Sequence, residues 1–102
     1  MQCAQCGKAF DPEIREGRVA SISGSIMGDE HIETAYFCRA CGQYTIEVVR
    51  DRFLGETEIS VFGPLSKAEG DARVALIREC VEPWNKRCRC AAHWKYFDGW
   101  LD

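Results

Sequence analysis

The chain has 102 residues, 46% of them hydrophobic, which suits one small domain whose modest core needs a covalent or metal staple. A formal charge of −3 speaks against general phosphate-backbone binding, and the longest apolar runs are too short to cross a membrane. Seven cysteines, an odd number, with no apolar N-terminal stretch, argue against a secreted disulfide framework and for a reducing, cytoplasmic setting with metal as the staple.

Residues 1–10 contain Cys3-Ala4-Gln5-Cys6-Gly7, a Cys-x-x-Cys-Gly knuckle, and Asp11-Pro12-Glu13 leads to Gly17 as an irregular turn. Arg18 to Ile26 reads as extended, with Val19, Ile22 and Ile26 set among serines and Gly24, and Gly28-Asp29 is a turn signal. His31 to Phe37 alternates, placing Ile32, Thr34 and Tyr36 on one face, and delivers the chain into a second knuckle, Cys38-Arg39-Ala40-Cys41-Gly42. Tyr44 to Val49 predicts a third strand with Tyr44, Ile46 and Val48 on one side. Asp51 to Gly55 forms a hairpin connection with Phe53 and Leu54 packed, Thr57 to Phe62 is a fourth strand, and Gly63-Pro64 ends the sheet.

Ser66 to Glu69 has the spacing of a capping box and starts a helix. Ala72, Leu76 and Cys80, with Val74, Ile77 and Val81, give it an apolar face, Gly70 weakens its first turns, and Pro83 stops it. From Trp84 to Asp102 the chain carries Trp84, Trp94, Trp100, Tyr96 and Phe97, with a short helix expected from about Ala91 to Phe97.

The two knuckles read as halves of one tetrahedral thiolate site, Cys3, Cys6, Cys38 and Cys41. Each short loop turns both sulfurs inward, and the following glycine tolerates positive φ. Over roughly residues 1 to 50 the pattern resembles the zinc ribbon superfamily, with Cys-Ala-Gln-Cys-Gly and Cys-Arg-Ala-Cys-Gly on hairpins. That resemblance implies a site and not a biochemical role. The knuckles and Ala9-Phe10-Asp11-Pro12 also resemble rubredoxins, which implies iron as the alternative to zinc. Between the knuckles, serine-rich and alternating strands suit the ribbon.

Cys80, Cys88, Cys90 and His93 form a second constellation, with four soft or borderline donors within 14 residues. Cys80 is expected on the last turn of the capped helix, and His93 three residues after Cys90 on the next helical turn. Three thiolates and a neutral imidazole satisfy tetrahedral zinc, the other ring nitrogen finding an orienting acceptor. Competing readings keep Cys80 as a small buried side chain, leave Cys88 and Cys90 unligated, or join Cys80 to Cys88 in a redox disulfide. With both sites metallated the charge falls to roughly −6, since bound cysteines are thiolates.

His31 reads as a solvent-facing histidine, and the pairs Asp29/Glu30 and Glu56/Glu58 as solvated charge. Lys86, Arg87, Arg89 and Lys95, interleaved with Trp84, Trp94 and Tyr96, are the one basic cluster. It suits single-stranded nucleic acid or, given the acidic total, a protein partner. The sequence thus predicts a single α+β domain of 102 residues. A zinc ribbon (1–50) continues into a hairpin and packed helix (51–82) and a metal-locked aromatic segment (83–102). Two closed zinc sites predict no catalytic residue and an accessory or structural subunit docking on a larger protein or enzyme complex. An iron redox protein and a nucleic-acid-binding ribbon are the alternatives.

Overall fold

The computed structural model describes residues 7, 18–39, 41–52 and 55–101. Four strands, β1 (Arg18–Ile26), β2 (Asp29–Cys38), β3 (Gln43–Asp51) and β4 (Thr57–Leu65), pair antiparallel in sequence order as a meander. Two helices follow, α1 (Lys67–Glu79) and α2 (Ala91–Tyr96). The fold is therefore mixed α+β. The hairpin residues Phe53 and Leu54, and the first knuckle apart from Gly7, lie outside the described residues.

The register places Ala20, Ile22 and Gly24 of β1 in line with Ala35 and Glu33 of β2 and with Ile46 and Val48 of β3. This is the face that α1 covers. Ala35, Tyr44, Ile46 and Val74 form one part of the core, and Ile22, Ile77, Phe97 and Leu101 the other. The opposite face is mixed: Ser21 Oγ and Thr34 Oγ1 are hydrogen-bonded at 3.1 Å, Ile32, Val49 and Ile59 lie in line across it with Ile59 and Val61 exposed, and Cys38 is buried at the end of β2.

The fourth strand runs past Gly63-Pro64, where the sequence predicts the sheet to stop. Tyr44 pairs with Leu65 and Ile46 with Phe62, so Gly63 and Pro64 together face Thr45 as a bulge. A proline is tolerated there because β4 is an edge strand and the bulge takes the missing donor out of the ladder. Gly63 has φ +133°, and a Cβ on it would sit 3.0 Å from the Tyr44 carbonyl, so only glycine fits.

Ser66 caps α1 as expected, its Oγ accepting from the Glu69 backbone N–H at 3.1 Å. The buried stripe is Gly70, Val74 and Ile77, at i, i+4 and i+7, and Cys80 is buried just beyond it. Ala72 and Val81, expected on this face, are exposed. The helix ends at Glu79, well before Pro83, because Cys80 is an extended C-cap whose N–H reaches the Ile77 carbonyl. Val81 thus lies beyond the helix and off its apolar stripe.

Gly70 is a seat rather than a flaw. A Cβ there would overlap the Tyr44 ring, whose hydroxyl donates to Asp71 Oδ1 at 2.6 Å while Lys67 holds the other carboxylate oxygen at 2.7 Å. Burial, followed by the Asp71 carboxylate, pushes the Tyr44 phenol up to about 12, so it stays a donor throughout the neutral range. Helix propensity alone favours Gly70→Ala by about 1 kcal/mol, but overpacking of this kind costs about 1–3 kcal/mol. Gly70→Ala is therefore expected to lower the urea midpoint at unchanged slope; a raised midpoint would contradict the packing account.

Candidate metal centre

The segment after α1 has little regular structure, and hydrogen bonds within turns fix its path. Asn85 N–H donates to the Glu82 carbonyl at 3.0 Å, Cys88 N–H to the Asn85 carbonyl at 3.0 Å, and Arg87 N–H to Asn85 Oδ1 at 3.0 Å. These turns reverse the chain so that Cys88 faces back toward the end of α1. Cys90 then caps α2, its Sγ accepting from the His93 N–H at 3.4 Å. One helical turn later His93 points at the same spot, fully buried.

Four donor atoms converge as a result. Cys80 Sγ lies 3.6 Å from Cys88 Sγ, 3.5 Å from Cys90 Sγ and 3.3 Å from His93 Nδ1. All four donors lie within 4.8 Å of one another. A tetrahedral ion with metal–sulfur bonds of about 2.3 Å sets its ligand atoms roughly 3.8 Å apart, so a small contraction of the outer donors completes the shell. None of the three cysteines is in a disulfide, so the Cys80–Cys88 bridge is not formed. Cys80, Cys88, Cys90 and His93 can hold one metal ion.

The imidazole is oriented for that task. His93 Nε2–H donates to the Ser23 carbonyl of β1 at 2.5 Å, which leaves Nδ1 with its lone pair facing the sulfurs. Ser23 N–H in turn donates to the Pro83 carbonyl at 2.8 Å. Phe97 stacks on the His93 ring at 5.6 Å between centroids. Gly24 admits this packing, since a Cβ there would come within 2.7 Å of both Phe97 and Leu101.

Burial pushes the Cys80 thiol up to about 12, with the Cys90 sulfur adding to the shift. The His93 N–H holds the Cys90 thiol below its ordinary value, aided by the neighbouring sulfurs. Without metal, the exposed end of the cluster thus releases its proton first. Burial also lowers the His93 imidazole, opposed by the Ser23 carbonyl. A cation satisfies all of these groups, since it needs thiolates and a neutral ring.

The second knuckle has the expected local form. Gly42 N–H donates to the Cys38 carbonyl at 2.8 Å, and Cys41 is half-buried beside Cys38. Gly42 and Gly7 both adopt left-handed φ values, +70° and +76°. Cys3 and Cys6 lie outside the described residues. His31 stands apart from the cysteines: it is half-buried on the α1 side of the sheet, opposite Gly24 and Arg50, and its Nε2 is buried without a partner among the described residues. Asp29 holds Arg50 in a part-buried ion pair of 2.8 Å rather than standing as solvated charge, whereas Glu58 pairs with Arg52 at 2.8 Å and stays exposed, as Glu56 does.

Ser23 was not legible as a site residue, because a backbone carbonyl has no sequence signature. A second cluster was equally hidden. Glu33 accepts from Tyr96 Oη at 3.0 Å and from Arg73 at 3.4 Å, with the Arg73 guanidinium over the Tyr96 ring, and so ties β2, α1 and α2 together.

Comparison of the chain with family models, with curated proteins and with solved structures finds no match. The reading of the site therefore stands on its geometry.

Each ligand carries roughly a quarter of a site worth about 10–16 kcal/mol, so Cys80→Ala or His93→Ala is expected to weaken metal binding about a hundredfold or more. Competition against a chromophoric chelator measures this; an affinity unchanged by all four single substitutions at this centre would remove it. Acid acts in the same direction on the metal-free chain. A folded imidazole held below its ordinary 6.5 binds a proton less readily than the unfolded one. Stability is therefore full above that pH and falls as pH drops through it. Urea midpoints of chelator-treated protein at pH 8 and 5.5 are expected to differ accordingly, and a rise at pH 5.5 would contradict a buried neutral His93.

Proposed function

We propose that the chain is a non-catalytic accessory subunit in which two structural zinc sites build a rigid surface for docking on a larger protein or enzyme complex. The observation that carries this reading is the closed donor set of Cys80, Cys88, Cys90 and His93. Four protein ligands on four vertices leave no position for water or substrate. Three sulfurs and one nitrogen suit zinc, and the buried neutral ring with its carbonyl acceptor matches the usual second shell of a structural site. Cys38 and Cys41, on a knuckle with the ribbon's glycine, supply half of the first site.

Exposure points the same way. Trp84 and Trp100 are each 70% exposed and Trp94 44%, although tryptophan is costly to leave in water. Such side chains anchor protein interfaces. A cleft of about 520 Å³ between α1 and the sheet is lined among the described residues by Tyr44, Asp71, Arg78, Glu79 and the apolar Val19, Val74 and Ala75, with no cysteine or histidine. Thiolate zinc also fits a reducing compartment.

Native purification from the source cells with metal analysis and a visible spectrum tests this reading. A colourless protein with two zinc ions per chain, eluting with a stoichiometric partner, is expected. Iron with thiolate absorption would replace it with an electron-transfer protein, and a partner-free monomer would contradict the accessory role.

A further inference from the structure

The two edges of the sheet are treated differently. On the β1 edge, Ser23 bonds to the Pro83 carbonyl and to His93, so the C-terminal segment covers it. On the β4 edge, no described residue pairs with the outer side of the strand, and Thr57 to Pro64 are all exposed. An open edge normally carries lysine, an interrupting proline or a bulge. From Thr57 to Phe62 the sequence is Thr-Glu-Ile-Ser-Val-Phe, with no lysine and no proline, and the bulge falls only at Gly63-Pro64. Its single charge, Glu58, is held by Arg52 of the same hairpin at 2.8 Å.

Apolar side chains gather at this edge. Ile59 is 67% exposed and Val61 48%. Ile32, Val49 and Ile59 are register partners, so they form a row across β2, β3 and β4 on the face away from α1, and the row ends at the open edge.

We infer that β4 pairs antiparallel with β4 of a second copy of this chain, about a two-fold axis at Ile59. Side chains directly opposite in an antiparallel pair share a face, so Ile59 meets Ile59, Thr57 meets Val61 and Glu58 meets Ser60. The row then runs unbroken through six apolar residues, three from each copy. Sliding the second strand by two residues one way sets Ile59 against Val61, which brings Glu47 into the row, and places Pro64 opposite Glu56. Sliding it the other way sets Glu58 against Glu58. The register centred on Ile59 avoids both faults, and it brings Glu56 opposite Phe62 of the second copy, whose ring lies under the Arg73 guanidinium at 5.3 Å. Carboxylate and guanidinium thus meet twice across the axis. These matches select a second copy over a foreign strand, because each comes from the strand read against itself. The pairing also closes: the C-terminal segment occupies the β1 edge, so a third copy has no edge to join. None of it uses the metal ligands, so it stands apart from the accessory-subunit reading.

Sedimentation velocity of the zinc-loaded full chain across the micromolar range tests this. A concentration-dependent dimer is expected. Ile59→Lys sets like charges directly opposite and is expected to weaken the dimer about a hundredfold while keeping zinc content and circular dichroism. Glu56→Arg, which turns the contact with Arg73 repulsive, is expected to weaken it as well. Isotope-filtered spectra of ¹³C-labelled chain mixed with unlabelled chain are expected to show methyl contacts between the Ile59 side chains of the two copies. A chain that stays monomeric throughout the range, or a dimer that Ile59→Lys leaves intact, overturns the inference. A monomer whose Ile59 is covered by another polypeptide in native material also overturns it, assigns the edge to that partner's strand, and leaves the accessory role standing.

Discussion

Ser23 directs both of its backbone groups away from β2 and into the C-terminal segment, donating to the Pro83 carbonyl and accepting from His93 Nε2. An edge strand normally leaves such groups to water or to an unwanted partner. Here they fix the loop and the imidazole at once, and the placement of the donor cluster depends on them. The segment they hold has one helix of six residues, too short to persist alone. Its order comes from this strand edge, the cluster, and the contact of Phe97 and Leu101 with Ile22 and Ile77.

Packing and the placement of the donor atoms reinforce one another across this joint. Gly24, one residue after Ser23, lets Phe97 and Leu101 approach the sheet closely, and Phe97 in turn stacks on His93. Cys80 closes the loop from the other side as the C-cap of α1, so the helix that covers the sheet also supplies the sulfur nearest the other three donors. The Glu33, Arg73 and Tyr96 contacts fix the angle between the helices. The C-terminal lobe is thus tied to the sheet by the edge of β1, the end of α1 and the Tyr96 contact of α2 with Glu33.

Much of this was readable from residue order. Alternation placed β2 and β3, an extended serine-bearing stretch before the Gly28-Asp29 turn signal placed β1, the Ser66 cap started α1, and the density of Cys80, Cys88, Cys90 and His93 named the donors that the fold brings together. The misses have physical causes. Pro64 signals a strand end unless a bulge on an edge strand absorbs it, and a bulge is set by pairing rather than by composition. Ala72 and Val81 fit an apolar face only if glycine is ignored, whereas the buried stripe runs through Gly70, which receives a tyrosine ring. His31 and Asp29 looked solvated because long-range register, invisible locally, places them beside Gly24 and Arg50.

The proposed closed site requires Cys80, Cys88, Cys90 and His93 to share one ion. Proton–cadmium correlation spectroscopy on ¹¹³Cd-loaded full chain tests this directly. One cadmium resonance coupled to the β-protons of Cys80, Cys88 and Cys90 and to the His93 ring is the predicted result. Couplings divided between two ions, or a cadmium with no link to His93, would contradict it.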